Sequence, residues 1–379
     1  MTEKGRCLAS QEIREMIKRK KIVSSGKIDK KQIKPSTFEP TVGENVFVIT
    51  DSNLFRPANG ERVEEALARL NKSDIKEYDI RDGFDLHVGF SYLFPLRERP
   101  ILDPLKNERI RSSTRSSFGR MFYNIRTLSS GNSRYETLFP GHEATELDLW
   151  LFVQPQAFNG IIRTGDSLTH SKILTGYDPR LTDAEIKDAV ENNPILWDKY
   201  DEGKQADHVI DEGLELNLDL LGWGKEGIVA LKTKKNPEEI DFREIGKYEP
   251  LEFFEPVRID SYGGISIGNE HCLFSSWEYL TVPENMNAEL VAHSPVGFIG
   301  PLHRAGFVNN GHKGPLVFEI TPYETVNIHM RRGMKMPISY LNFYRTAIPD
   351  VSYSKTGYFH EQRGICLPKQ FKQIDWDNL

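Results

Sequence analysis

Leu214-Glu215-Leu216-Asn217-Leu218-Asp219-Leu220-Leu221 alternates apolar and polar side chains. That period of two gives an extended strand one apolar face. Outward from it the chain offers more short apolar runs, Val46-Phe47-Val48-Ile49 and Leu147 to Val153 among them, punctuated by Gly, Pro, Asn and Asp. Such spacing predicts a mainly β protein rich in turns. A few short helices interrupt it. Ser10 is placed to cap a helix whose apolar positions are Ile13, Met16 and Ile17. Thr182 and Glu185 have capping-box spacing ahead of Ile186, Ala189 and Val190. The polar stretch Asp198 to Gln205 reads as a surface linker.

An internal repeat extends this reading to the whole chain. Phe38-Glu39-Pro40 returns as Phe254-Glu255-Pro256, and Ser116-Ser117-Phe118-Gly119 faces Ser294-Pro295-Val296-Gly297. Phe152-Val153-Gln154-Pro155 faces Glu319-Ile320-Thr321-Pro322, and Arg163-Thr164-Gly165 faces Arg331-Arg332-Gly333. Their shared order predicts two similar β domains in tandem, over 1–180 and 206–379, joined by a helical linker over 181–205. A length of 379 residues fits two domains of ordinary size.

Composition narrows the function classes. Hydrophobic residues at 38% and charged residues at 27% describe a globular chain, not a disordered one. A net charge of −6 argues against general affinity for nucleic-acid backbone and leaves room for a local basic pocket. No run of about 18 apolar residues predicts a membrane span, and the first residues lack the apolar core of a signal peptide. Cys7, Cys272 and Cys366 are too scattered for a disulfide framework. The expected compartment is the cytoplasm. The His-x-Glu and Pro-Cys-x-x-Cys pattern of zinc deaminases is missing, as are the P-loop and Rossmann glycine fingerprints.

Three segments carry candidate chemistry. Arg111-Ser112-Ser113-Thr114-Arg115-Ser116-Ser117-Phe118-Gly119-Arg120 sets three guanidiniums among hydroxyls. Arginine's planar fork of donors suits phosphate oxygens, although the same composition serves a polar surface loop. Ala305 to Gly314, followed by Pro315 to Ile320, reads as a β-hairpin with Glu319 inside an apolar strand. On an inner face that carboxylate would have its pKa raised by burial, as suits a general base; on an outer face it would be solvated. Tyr353 to Gly364 mixes aromatic, basic and amide side chains, as a flap over a nucleotide or as a polar tail.

In order along the chain these elements resemble the dCTP deaminase family, in its long, duplicated form. Ile33-Lys34-Pro35-Ser36-Thr37-Phe38-Glu39-Pro40-Thr41-Val42-Gly43 is similar to the family's I-Q-P-S-S-x-D-L-R-L-G. Arg115-Ser116-Ser117-Phe118-Gly119-Arg120 is similar to R-S-S-x-x-R, which binds nucleotide from a neighbouring subunit in that family. Ala305-Gly306-Phe307-Val308-Asn309 resembles A-G-F-I-D, and Glu319 falls on the family's catalytic glutamate. Arg332-Gly333-Met334 and Gln362-Arg363-Gly364 resemble R-P-G-M and Q-R-G.

The resemblance implies two dUTPase-like distorted β-barrel or jelly-roll domains and hydrolytic deamination of dCTP to dUTP and ammonia. Glu319 would be the catalytic base, with no metal at the chemical step and Mg²⁺ arriving with the triphosphate. Arg115, Ser116, Ser117, Arg120, Ala305, Phe307 and Gln362 would bind substrate. Lys355 or Tyr358 would serve where the family has a lysine before Q-R-G. A homo-oligomer with trimer-like packing of domains is implied, and neither nucleic acid nor membrane is expected as a partner.

The departures from the family pattern are complementary. The first half keeps R-S-S-x-x-R but has Phe152 in the glutamate's place; the second keeps Glu319 but has His293-Ser294-Pro295-Val296-Gly297-Phe298 in place of R-S-S-x-x-R. A composite site follows, with phosphate ligands from one half and the base from the other. Asn309 in place of the hairpin Asp speaks against a dUTP pyrophosphatase, the alternative activity alone or combined with deamination. A non-catalytic nucleotide-binding protein is the third reading.

Overall fold

The computed structural model describes residues 4–50, 55–143, 145–198, 203–293, 303–322, 328–331 and 335–376. Ser294 to Gly297, Phe298 and Arg332-Gly333-Met334 lie outside them. The chain is mainly β, and its sheets come in matching sets. In the first half one antiparallel sheet runs in the order Ile75–Asp79, Asn45–Ile49, Ser91–Pro95, Leu149–Pro155, Tyr123–Ser129. The second half repeats four of those places with Phe254–Arg258, Ile228–Thr233, Cys272–Ser275 and Val317–Ile320. Register aligns Phe47 with Leu93 and Leu93 with Phe152. It likewise aligns Leu231 with Leu273 and Leu273 with Glu319. Phe152 and Glu319 therefore occupy the same place in two like sheets.

A second matched pair frames the site. Arg6–Cys7, Thr169–Thr175, Arg109–Thr114 and Thr137–Leu138 form one sheet; Leu214–Asn217, Pro337–Arg345, Met286–Ala292 and Phe307–Val308 form the other in the same order. A third pair is Ile22–Ser24, Glu98–Leu102 and Thr145–Glu146 against Leu196–Asp198, Glu278–Thr281 and Lys313–Gly314. Glu98 and Glu278 correspond there, and both are buried. Each carboxylate is held by a backbone N–H and a side-chain amide. Thr41 N donates to Glu98 at 2.7 Å and Gln32 Nε2 at 2.8 Å; Asn217 N donates to Glu278 at 3.0 Å and its Nδ2 at 2.8 Å. Buried carboxylates survive in a fold when hydrogen bonds replace lost water.

The two halves share one core. The apolar cluster that includes Phe38, Phe94, Ile110, Phe118 and Tyr123 is closed by Ile228, Phe242, Phe253 and Leu273, and by Leu367 and Phe371 near the C-terminus. A second cluster, Ile186 to Phe343, joins the helix Asp183–Asn192 and Ile195-Leu196 to the second half. A third surrounds Phe152 with Ile49, Phe55, Val63, Leu67, Leu93 and Trp150.

Several local expectations need correction. The first helix, Ser10–Lys18, buries Ile13 and Met16, but its cap is Ala9; the Ala9 N–H donates to Glu12 at 2.9 Å. Ser10 is the first helical residue, and its hydroxyl donates to Asp350 instead. Thr182 does cap Asp183–Asn192, with reciprocal bonds to Glu185. In Leu214–Leu221 the leucines at 214, 216, 218 and 220 are buried, but Asn217 and Asp219 are buried too. A register shift at Leu216/Asn217 turns Asn217 onto Glu278, so inward polarity is compensated there. The segment from Ala305 to Ile320 is not a simple hairpin. Phe307–Val308, Lys313–Gly314 and Val317–Ile320 pair with three different strands, Met286–Ala292, Glu278–Thr281 and Cys272–Ser275. Gly311 (φ +73°) and Gly314 (φ +130°) permit the turns between them. The three cysteines are free and buried, and no helix among the described residues is long and apolar enough to cross a membrane.

Candidate active site

Strand Arg109–Thr114 ends at Arg115, whose extended backbone starts the short helix Ser116–Arg120. That helix lies directly on Glu319. A Cβ on Gly119 would sit 2.7 Å from Ala305 Cβ and 2.8 Å from Glu319 Oε1, so only glycine allows the approach. Ser113 Oγ accepts from Gly306 N at 2.9 Å and ties the same two segments together. The Arg120 guanidinium donates to Cys366 O at 2.8 Å and to Gln362 Oε1 at 3.3 Å, and stacks 4.0 Å from the centroid of Phe359. Gln362 Nε2 donates to Pro315 O at 2.5 Å, so the C-terminal segment clamps the arginine from above.

Glu319 is 2% exposed. Burial pushes its carboxyl up to about 7, opposed by Arg120, Arg304 and the Ala305 N–H. The group therefore changes protonation near neutrality, where one carboxyl can both accept and return a proton. It lines an inner chamber of about 50 Å³ together with Ser116, Arg120, Ala305, Phe307 and Gln362. Asn309 Oδ1 and His312 Nε2 are buried at this site and have no hydrogen-bond partner among the described residues. Burial, then Arg120 and His360, hold His312 down at about 3, so the imidazole is neutral. Unsatisfied buried acceptors of this kind call for a polar ligand.

An outer chamber of about 260 Å³ adjoins the inner one, and Ser116, His170, Asn309, Tyr353 and Phe359 belong to both walls. It adds Arg115, Ser117, Tyr358, Lys34, Lys369 and Glu39. Arg115 meets Glu39 at 3.3 Å and donates to Ser167 O at 2.8 Å; Lys34 lies 3.8 Å from Glu39. Ser117 Oγ accepts from Lys369 N at 3.3 Å.

The sequence-based candidates thus divide. Ser116, Arg120, Ala305, Phe307, Glu319 and Gln362 gather in the inner chamber, and Arg115, Ser117 and Tyr358 in the outer. Lys355 stands exposed on the short helix Tyr353–Thr356 and lines neither chamber. Sequence reasoning missed Lys34, Lys369, His170 and His312. Lys34 lay within a recognised motif, whereas Lys369 had no local signal. Among the described residues, Asp85, His87 and Glu239 group closely enough to ligate a metal, but they line neither chamber.

A buried carboxyl titrating near 7, an arginine beside it and an adjoining cationic chamber are features suited to acid–base chemistry on an anionic substrate. Comparison with known proteins gives the particular family. Residues 4–177 match the family model of the 2'-deoxycytidine 5'-triphosphate deaminase N-terminal domain, and residues 182–321 match that of its C-terminal domain. The chain belongs to the dCTP deaminase family, enzymes that convert dCTP to dUTP.

Among curated relatives, a dCTP deaminase of Ignicoccus hospitalis is 27% identical over 191 residues, which is 50% of this chain and 96% of the relative. A "dCTP deaminase, dUMP-forming" of Bifidobacterium animalis subsp. lactis is 30% identical over 111 residues, 28% of this chain and 56% of the relative. The crystal structure of 2'-deoxycytidine 5'-triphosphate deaminase from Agrobacterium tumefaciens superposes with a TM-score of 0.81 at 21% identity, covering 92% of this chain and all of that one. That likeness places the fold as dUTPase-like.

Proposed function

We propose that the two chambers form one nucleotide site, in which Glu319 deaminates the cytosine of dCTP. The observation that carries this reading is the meeting of Arg120 and Glu319 in a single chamber, although each half of the chain supplies only one of them. Cytosine enters the inner chamber. Glu319 takes one proton from water as the oxygen attacks C4 and passes it to the departing amino group, while the oxygen's second proton goes to N3 to leave the C4 carbonyl and the N3–H of uracil. The products are dUTP and ammonia, with atoms and charge in balance. Arg120 holds its guanidinium against the carboxylate and the reacting ring. Arg115, Ser116 and Ser117 bind the phosphate nearest the sugar, and Ala305, Phe307, Tyr358 and Gln362 shape the walls. Mg²⁺ travels with the triphosphate as part of the substrate. The one carboxylate of the outer chamber, Glu39, is already engaged by Arg115 and Lys34.

The tandem of 1–180 and 206–379 around a 181–205 linker is the unit that builds this site. A cytoplasmic homo-oligomer with trimer-like domain packing is the proposed working form.

Incubation of the purified chain with dCTP and Mg²⁺, followed by separation of dCTP, dUTP and dUMP, tests the reading. The expected product is dUTP. Accumulation of dUMP would favour the combined deaminase and pyrophosphatase activity, a reading supported by the dUMP-forming relative and opposed by Asn309. Unchanged dCTP would leave a binding protein.

A further inference from the structure

We infer that Lys34 and Lys369 are the specificity determinants for the distal phosphates, and that they make this site selective for a nucleoside triphosphate over a monophosphate. The inference rests on the reading of the chambers as a nucleotide site.

Three cations, Lys34, Arg115 and Lys369, converge on the outer chamber from three distant segments, and one carboxylate, Glu39, faces them. Glu39 is shared between Arg115 at 3.3 Å and Lys34 at 3.8 Å. Lys369 has no ion-pair partner among the described residues, although Glu39 and Asp166 are close enough to act on it through space. Its backbone is nevertheless fixed. Lys369 N donates to Ser117, its carbonyl accepts from Gly246 N at 3.0 Å, and the next residue, Gln370, is fully buried. Partly buried cations in excess over their counterions are costly unless an anion joins them.

The geometry sets which anion. With the base against Glu319, the sugar lies along the residues shared by both chambers, and the phosphate chain runs into the outer one. Ser116 sits at the junction, with Arg115 and Ser117 next to it on the outer side, and the three suffice for a single phosphate. The β- and γ-phosphates fall to Lys34 and Lys369. Lys355, the nearby lysine of the flap segment, is exposed and turned away from this task.

The test uses the full chain with Lys34→Gln, Lys369→Gln and Lys369→Arg. Steady-state kinetics with Mg²⁺·dCTP should show KM raised at least about tenfold by each glutamine variant, the scale of one charge-assisted bond, with kcat within about twofold. Calorimetric binding of dCMP should change less than about twofold, binding of inorganic tripolyphosphate should weaken by about tenfold, and Lys369→Arg should restore most of both triphosphate readouts. An unchanged KM for dCTP would overturn the inference. So would a parallel loss of dCMP affinity, which would mean general damage to the site. If the wild-type chain deaminates no cytidine nucleotide, the function proposed above fails. Tripolyphosphate binding by wild type and its loss in the glutamine variants would still decide the role of the two lysines.

Discussion

Phe152 and Glu319 stand at the same point of two like sheets, each aligned on a leucine of the neighbouring strand, and both are almost fully buried. Around Phe152 the space is filled by Ile49, Phe55, Leu93 and Trp150. Around Glu319 it is left open as a chamber, with Arg120 and Arg304 acting on the carboxyl. Glu98 and Glu278 form the contrasting pair. They also correspond between the halves, but both remain glutamate, and in both a backbone N–H and an amide side chain satisfy the carboxylate. A carboxylate kept in both halves is holding the fold together. On the proposed function, the carboxylate present in one half only and facing a cavity serves chemistry at the expense of stability.

The largest effect should come from removing that asymmetry. Glu319→Gln keeps shape but cannot take a proton, and should lower the deamination rate about 10²–10⁴-fold, measured by dUTP release. Near-normal turnover would remove Glu319 from the mechanism. In the wild type, the base is ionised above its pKa, so kcat/KM should rise with pH through a limb near 7. Stability should run the opposite way. The folded carboxyl titrates at about 7 and the unfolded one near 4.5, so the folded state holds the extra proton between those values. Stability is lost as pH rises across that window, by about 3 kcal/mol in all. Glutamine carries no such penalty. Denaturant titrations should therefore find Glu319→Gln more stable than wild type at pH 8, with the gap closing toward pH 5.

At the twin position the pattern should invert. Phe152→Ala opens a cavity in a filled cluster and should cost about 3–5 kcal/mol of stability, while kcat/KM per folded molecule stays within about twofold. Phe152→Glu should cost more than Phe152→Ala, because that site offers no chamber and its cross-strand neighbour Arg126 is already paired with Glu136 at 3.1 Å. Equal unfolding midpoints for Phe152→Glu and wild type would show that the cluster tolerates a carboxylate and would undo the contrast.

How much of this was legible from residues alone depended on the range over which each signal acts. The β class could be read from the alternation of Leu214 to Leu221, and the helix Asp183–Asn192 from Thr182 and Glu185, because strand period and capping boxes are local. The likeness of the two halves could be read in part from short repeated segments: Phe152 and Glu319 do coincide, but Phe38-Glu39-Pro40 and Phe254-Glu255-Pro256 do not, since Phe254–Arg258 takes the place of Ile75–Asp79 while Phe38 bridges to Ser171. Glu319 was visible as a carboxylate in an apolar strand, but its burial was not, because an exposed face fits the same pattern. Polar residues that turn inward to meet each other, such as Asn217 with Glu278, break the alternation rule through a contact 61 residues away in sequence. Lys369 reaches the site beside Ser117 across 252 residues, and no periodicity marks it. The flap group was sought near Gln362 as Lys355 or Tyr358; Tyr358 lines the outer chamber, whereas Lys355 stands exposed.

The smallest expected effect is a null one, and it separates two ways of joining the halves. The resemblance to a family with sites between subunits implied that Arg120 and Glu319 could meet across chains. In this structure they meet within one chain, since the helix Ser116–Arg120 lies against Glu319 through Gly119 and both residues line the same chamber. Arg120→Ala should weaken substrate binding by about 1.5–3 kcal/mol, and combined with slowed chemistry this should leave little activity. A chain carrying Glu319→Gln has an intact arginine, and one carrying Arg120→Ala an intact base, but each chamber in a mixture still lacks one of the two. Mixing the purified variants, with and without mild denaturation and refolding to allow subunit exchange, should therefore give no more activity than the sum of the parts. Recovery toward about a quarter of wild-type turnover in an equal mixture, the share of intact sites under random exchange, would mean that the working chamber forms between chains. The contacts of Arg120 with Gln362 and Cys366 would then be those of a resting arrangement.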